Sequence, residues 1–130
     1  MIDHNHLLVM GNITNHFKER AAEIWMAKLV SDLGMSILIP PRAVYCGTIG
    51  NKGLTCICAI ETSHIVLHQW DEVSPGFMQL DVYTCAALDV NIVWDAIEVF
   101  NSTNLQYKFY DRKSGFKLIE QSDAGLDNDL

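Results

Sequence analysis

Between Leu54 and Cys85 three apolar runs follow one another with very little chain between them. Leu54–Ile60 and His64–Trp70 are parted only by Glu61-Thr62-Ser63, and Phe77–Cys85 follows after Asp71 to Gly76, where Ser74-Pro75-Gly76 marks a turn. Each run has strand length and strand composition. Links this short join antiparallel neighbours, because a parallel pair needs a crossover of about a dozen residues or more. The middle of the chain is therefore committed to an antiparallel meander, and the flanks must pack on it. In the third run Met78, Leu80, Val82 and Thr84 point one way, while Phe77, Gln79, Asp81, Tyr83 and Cys85 point the other.

The flanks supply two helices and further strands. His6–Met10 is a short strand closed by Gly11-Asn12, and Thr14 or Asn15 caps a helix from about His16 to Leu33. Ala22, Trp25, Met26, Leu29, Val30 and Leu33 recur at helical spacing and make its core-facing stripe, with Gly34 just past its end. Met35–Ile39 reads as a buried strand stopped by Pro40-Pro41, and Arg42 to Lys52 as a loose, flexible loop beside the site. Asp89 caps a second helix with Val90, Val93, Trp94, Ile97 and Phe100 inward. Leu105–Asp111 and Phe116–Glu120 form a hairpin around Arg112-Lys113-Ser114-Gly115. This order predicts an α+β fold, a two-layer α/β sandwich with an antiparallel sheet and helices on one face. Residues 1–120 make a single domain, and the acidic tail from Gln121 to Leu130 is expected to be disordered. The apolar side chains left on the open face predict sheets packing across a dimer.

Charge and composition narrow the partners. A net charge of −7 disfavours a nucleic-acid backbone and suits cationic or amine ligands. No apolar run approaches the ~20 residues of a membrane span, and the start Met1-Ile2-Asp3-His4-Asn5-His6 lacks a basic signal region. Cys46, Cys56, Cys58 and Cys85 have no zinc or CxxC spacing, so a reducing cytoplasm is expected and no metal. Cys56 and Cys58 share one strand face as buried thiols. His4 and His6 share a face too, but without a third ligand nearby they read as edge residues. Gly47, Gly50 and Gly53 lie in a GTIGNKG run that lacks phosphate-loop spacing.

What remains is a constellation in the meander: Ser63 and His64, then His68, Trp70, Asp81 and Cys85. A hydroxyl, an imidazole and a thiol drawn together by strand pairing can do covalent chemistry. Singly, Ser63 is a turn residue, His68 a half-buried strand residue and Cys85 a small core residue. Their joint order says more. Glu61-Thr62-Ser63-His64-x-x-x-His68-x-Trp70 followed by Asp81-Val82-Tyr83-Thr84-Cys85 resembles the prokaryotic S-adenosylmethionine decarboxylases. Their pattern is approximately E-S-H-(three residues)-H-T-W, then D-(V/L)-F-T-C-G.

The resemblance implies a self-processing, pyruvoyl-dependent enzyme. Ser63 Oγ would attack the Thr62 carbonyl, and His68 would take the α-proton of residue 63 from the resulting ester. Elimination and loss of ammonia would leave a pyruvoyl group on the chain 63–130, with 1–62 as the other product. Thr55 falls where the family carries a serine that steadies the oxyanion, and Cys85 would return a proton to the substrate α-carbon. Ser63 and His68 are five apart, so a regular strand sends them to opposite faces and the chemistry calls for a bend at Thr62-Ser63.

The chain also departs from the family pattern. Thr62 replaces a glutamate, Ala86 a glycine and Gln79 a small residue, and Thr48 and Ile49 stand where an adenine-stacking ring is usual. S-adenosylmethionine is the substrate favoured, with Trp70, Tyr45 or Phe77 offering a ring and Glu61, Glu72 and Asp81 negative charge. Arginine or ornithine as substrate, and an uncleaved paralog that pairs with an active subunit, are the alternatives. The implied working form is a homodimer of processed protomers supplying aminopropyl groups for spermidine synthesis.

Overall fold

A computed structural model gives the fold for residues 3–122. Seven strands form one antiparallel sheet: β1 (Asn5–Ile13), β2 (Ile37–Cys46), β3 (Gly53–Ile60), β4 (Ser63–Trp70), β5 (Gly76–Thr84), β6 (Thr103–Asp111) and β7 (Lys117–Gln121). Their order is β2-β3-β4-β5-β1-β6-β7. The meander β3-β4-β5 stands as the short links require, and the N-terminal strand inserts between β5 and β6. Two helices, α1 (Glu19–Asp32) and α2 (Val90–Ile97), cover one face. Alternate strand residues, among them Leu7, Val9, Cys56, Cys58, Ile65, Leu67, Leu80 and Val82, meet Met26, Leu29, Val93, Ile97 and Phe100 in one core. The α+β sandwich is as the pattern predicted. Residues 123–130, most of the tail, lie outside the described residues, while Gln121 pairs with Lys108.

Local signals were read correctly where they are self-contained. Gly34 takes φ 73°, its N–H reaches Ser31 O, and Met35 N–H reaches Val30 O, the pair of bonds that ends a helix on a left-handed glycine. Asp89 Oδ1 accepts from Asn91 N at 3.0 Å and caps α2. Burial lifts the Cys56 thiol to about 12, as an inert core residue requires.

The second helix ends at Ile97, with Phe100 in a following 3-10 turn, and the last hairpin pairs Thr103–Asp111 with Lys117–Gln121. Three further boundaries differ through tertiary contacts. β1 continues through Gly11 to Ile13, with a pairing irregularity against β6 between Met10 and Asn12. A Cβ at Gly11 would stand 3.1 Å from the Leu105 side chain, so glycine there permits close approach rather than a stop. α1 begins at Glu19, not His16, because the preceding backbone is engaged elsewhere. Thr14 and Asn15 donate to Phe100 O, and the buried Gln69 side chain bonds both N–H and C=O of Phe17. β2 runs straight through Pro40-Pro41, absorbing half of the expected loop, and its Leu38 and Ile39 are exposed rather than buried. Its position at the sheet edge, with irregular pairing on either side of Ile39, means the missing proline N–H groups cost no ladder bond.

Candidate active site

The face without helices carries the polar chemistry. Register pairs His6 with Tyr83 and Tyr83 with His64, Leu8 with Asp81 and Asp81 with Val66, and Gln79 with His68. His68 in turn lies opposite Thr55. A cavity of about 500 Å³ opens on this face, lined by Leu8, Val66, His68, Gln79, Asp81 and Lys108 among others. That is a usual size for a small-molecule site.

At one end of the face sits the Thr62–Ser63 peptide. A two-residue link between Ile60 and Ser63 forces a tight reversal, and Thr62 accommodates it at φ 52°, a left-handed conformation that a β-branched residue rarely adopts. Cys85, just past β5, reaches back across the strand ends. Its N–H donates to Ser63 Oγ at 2.9 Å, and its thiol donates to Thr62 O at 3.1 Å. Hydrogen bonding from the Thr62 side chain is the largest pull on this thiol. Ser63, Tyr83 and the Arg112 charge act the same way, outweigh desolvation and hold the thiol below its ordinary pKa. Around it stand Tyr83, whose hydroxyl bonds His4 Nδ1 at 2.7 Å, and Arg112, whose guanidinium lies 4.5 Å from the Tyr83 ring centre.

Beside this group Asp81 Oδ1 accepts from His6 Nε2 at 2.5 Å and lies 3.4 Å from His64 Nε2. Burial by itself would raise the Asp81 carboxyl, but hydrogen bonding and charge from His6, then His64, leave it lowered. These three groups are close enough to surround a cation. However, Arg112 Nη1 sits 3.0 Å from His6 Nδ1. A guanidinium can only donate, so in the neutral form of His6 the proton is on Nε2, aimed at Asp81, where a metal would need a lone pair.

Farther along, Thr55 Oγ1 and His68 Nδ1 are 2.8 Å apart, and Trp70 lies beside His68 with ring centres 5.8 Å apart. Trp70 Nε1 donates to Asn51. Glu72 accepts from the backbone N–H groups of Gly50 and Lys52, and Tyr45 donates to Asp71. Tyr45 and Glu72 therefore brace the 47–52 loop at the Trp70 end of β4, which is the far end from Ser63. The structure thus brings Thr62, Ser63 and Cys85 together, and Thr55, His68 and Trp70 together. It does not bring the two groups together: β4 is regular from Ser63 onward, and five strand steps separate Ser63 from His68 by about 16 Å. Asp81 lies between them.

A sequence model of the S-adenosylmethionine decarboxylase family matches residues 14–113. The chain belongs to that family. The family's fold agrees: the crystal structure of the adenosylmethionine decarboxylase from Aquifex aeolicus VF5 superposes with a TM-score of 0.62 at 18% identity, covering 92% of this chain and 94% of that one. Among curated proteins no sequence matches the chain. Within this S-adenosylmethionine decarboxylase fold, no helix of the described residues is long and apolar enough to cross a membrane. His4, Tyr83 and Arg112 were not singled out by sequence reasoning. The alternation of His4 and His6 was visible, but their partners Tyr83 and Asp81 are 79 and 75 residues away, and only the β1–β5 pairing supplies them.

Proposed function

We infer that this member of the family is a self-processing decarboxylase of S-adenosylmethionine, working in the cytoplasm as a homodimer and providing the aminopropyl donor for spermidine synthesis. The observation that carries the reading is the convergence on one peptide bond. Cys85 holds both Ser63 Oγ, the nucleophile of an acyl shift, and the oxygen of the Thr62 carbonyl whose carbon it would attack. The thiol contact places a donor where negative charge grows on the Thr62 oxygen as Ser63 attacks. The four unpaired thiols suit a reducing compartment.

A proton transfer needs heavy atoms within about 3 Å, directly or through one water. Over about 16 Å of regular strand, His68 does not reach the α-proton of residue 63 in its own chain. A second copy would resolve this. The midpoint between Ser63 and His68 on β4 falls at Ile65-Val66. A two-fold axis lying between two open faces and running across β4 at that midpoint would bring the Ser63 end of each chain to the His68–Thr55 end of the other. Exposed Leu8, Ile57 and Val44 supply apolar surface for that packing. Each site then combines Ser63, Thr62 and Cys85 from one protomer with His68 and Thr55 from the other.

In the processed protein a pyruvoyl group derived from Ser63 would act as electron sink while CO₂ leaves. The chain's own groups orient the reaction. Cys85 returns the proton to the substrate α-carbon, and Trp70, with Asp81, offers the ring and the charge that a sulfonium favours. The test is the intact mass of denatured protein. Two fragments meeting at Thr62-Ser63, the C-terminal one without a free amine, are expected. A single full-length mass after prolonged incubation would remove the enzyme reading in favour of an uncleaved paralog. Release of labelled CO₂ from arginine or ornithine, with none from S-adenosylmethionine, would change the substrate alone.

A further inference from the structure

Cys85 does not stand alone at the end of the sheet. Its Sγ lies 3.8 Å from the Tyr83 hydroxyl, which lies 2.7 Å from His4 Nδ1, and Sγ to Nδ1 directly is 3.9 Å. Thiol, phenol and imidazole thus form a continuous hydrogen-bonded chain from the scissile peptide outward. The Tyr83 ring is flanked by the Arg112 guanidinium over its face, by His6 edge-on and by the tilted ring of His64, with the two imidazole ring centres 5.5 Å and 5.6 Å away. Arg112 is itself fixed by its backbone N–H donating to His4 O at 2.8 Å. A phenol held this firmly between a thiol and an imidazole is placed for proton transfer, whereas the ring alone would satisfy the packing.

We propose that Tyr83 is a positioning residue that relays protons between His4 and Cys85. The inference rests on the decarboxylase reading for its purpose, since a thiol that gives its proton to substrate must be reloaded at every turnover. The transfer balances. Cys85 S–H gives its proton to the substrate α-carbon and becomes thiolate; the Tyr83 O–H proton moves to sulfur; the proton on His4 Nδ1 moves to the phenolate oxygen; and solvent returns a proton to His4, the one proton that loss of CO₂ from a carboxylate consumes overall. No electron changes hands and no further reagent is needed. The titratable and charged groups that face Cys85 are His4 from the approach to β1, Tyr83 from β5 and Arg112 from the turn after β6, with Thr62 and Ser63 as polar neighbours.

The experiment uses the purified full chain and its Tyr83→Phe variant, which keeps the ring. The first measurement is the pH dependence of alkylation at Cys85 by iodoacetamide, followed peptide by peptide so that Cys46 does not interfere. Loss of the hydroxyl removes a hydrogen bond that favours thiolate, so the profile should move to higher pH. An unchanged profile overturns the relay. This arm needs no pyruvoyl group, so it decides the relay even if the protein proves uncleaved. The second measurement is turnover. Tyr83→Phe should retain cleavage and KM but lose at least about tenfold in kcat, on the modest side of what a positioned proton transfer contributes. Added imidazole should restore part of that loss. A fall confined to KM, or a fall in kcat that imidazole leaves untouched, would mark Tyr83 as structural and refute the proposal.

Discussion

Replacing Thr62 by glycine tests whether the turn drives its own cleavage. Steric bulk at the scissile carbonyl argues that a β-branched residue slows the acyl shift. The backbone argues the opposite. Thr62 sits at φ 52°, where a non-glycine residue carries about 1–3 kcal/mol of strain. Opening the peptide bond releases the residue from the two-residue link that imposes this conformation. If about 1–2 kcal/mol of that strain is relieved in the transition state, Thr62→Gly should process about 5- to 30-fold more slowly, at 1.36 kcal/mol per tenfold. Thr62→Asn should fall between, because asparagine tolerates the left-handed region. The assay is the disappearance of full-length chain with time after a pulse of synthesis, read by intact mass. A companion measurement in a Ser63→Ala background, where nothing is cut, should show Thr62→Gly raising Tm by about 3–6 °C. If Thr62→Gly processes as fast as the parent while Tm rises, the strain is real but does not assist the chemistry.

The shared site predicts complementation: Ser63→Ala and His68→Ala should each abolish cleavage alone, whereas mixed dimers should cut those chains that keep Ser63. Cut fragments absent from co-expressed variants would sink the dimer arrangement. Cys85→Ala should keep some cleavage and lose about 10²- to 10⁴-fold in turnover, measured as CO₂ release. Asp81 has a lowered carboxyl in the fold, so the stability it contributes is complete above about pH 4 and is lost as pH falls through its folded value. Thermal melts of Asp81→Asn against the parent should therefore differ at pH 6 and converge as pH falls through the folded value of the carboxyl.

The meander was legible because its links are so short that pairing was forced, and α2 because Asp89 and the Val93/Ile97/Phe100 spacing agree. What misled was punctuation read locally. Pro40-Pro41 and Gly11 signal breaks in isolation, yet an edge position in one case and a close approach of Leu105 in the other make them compatible with continuous strands. The same limit applies to the site. Ser63, His68 and Cys85 could be read from their order, and the conflict of faces between Ser63 and His68 was visible from parity alone. The chain does reverse at Thr62, but β4 begins at Ser63 and runs regularly, so that reversal does not carry Ser63 to His68. Tyr83, His4 and Arg112 could not be read, because no local pattern announces that residues 4, 83 and 112 converge.

The placement of β1 has a consequence for the life of the protein after processing. A cut at Thr62-Ser63 would divide the sheet into β1, β2 and β3 on one fragment and β4 to β7 on the other. In space these alternate: β3 lies against β4, and β1 is enclosed between β5 and β6. The fragments would be interlocked along three strand-to-strand seams, so neither could leave without dismantling the other's hydrogen bonding. Denaturation would then be a one-way event at low concentration, since a folding reaction that began within one chain would have to be repeated as an encounter between two. The uncut chain would be the form that finds the fold, and the cut protein the form that keeps it.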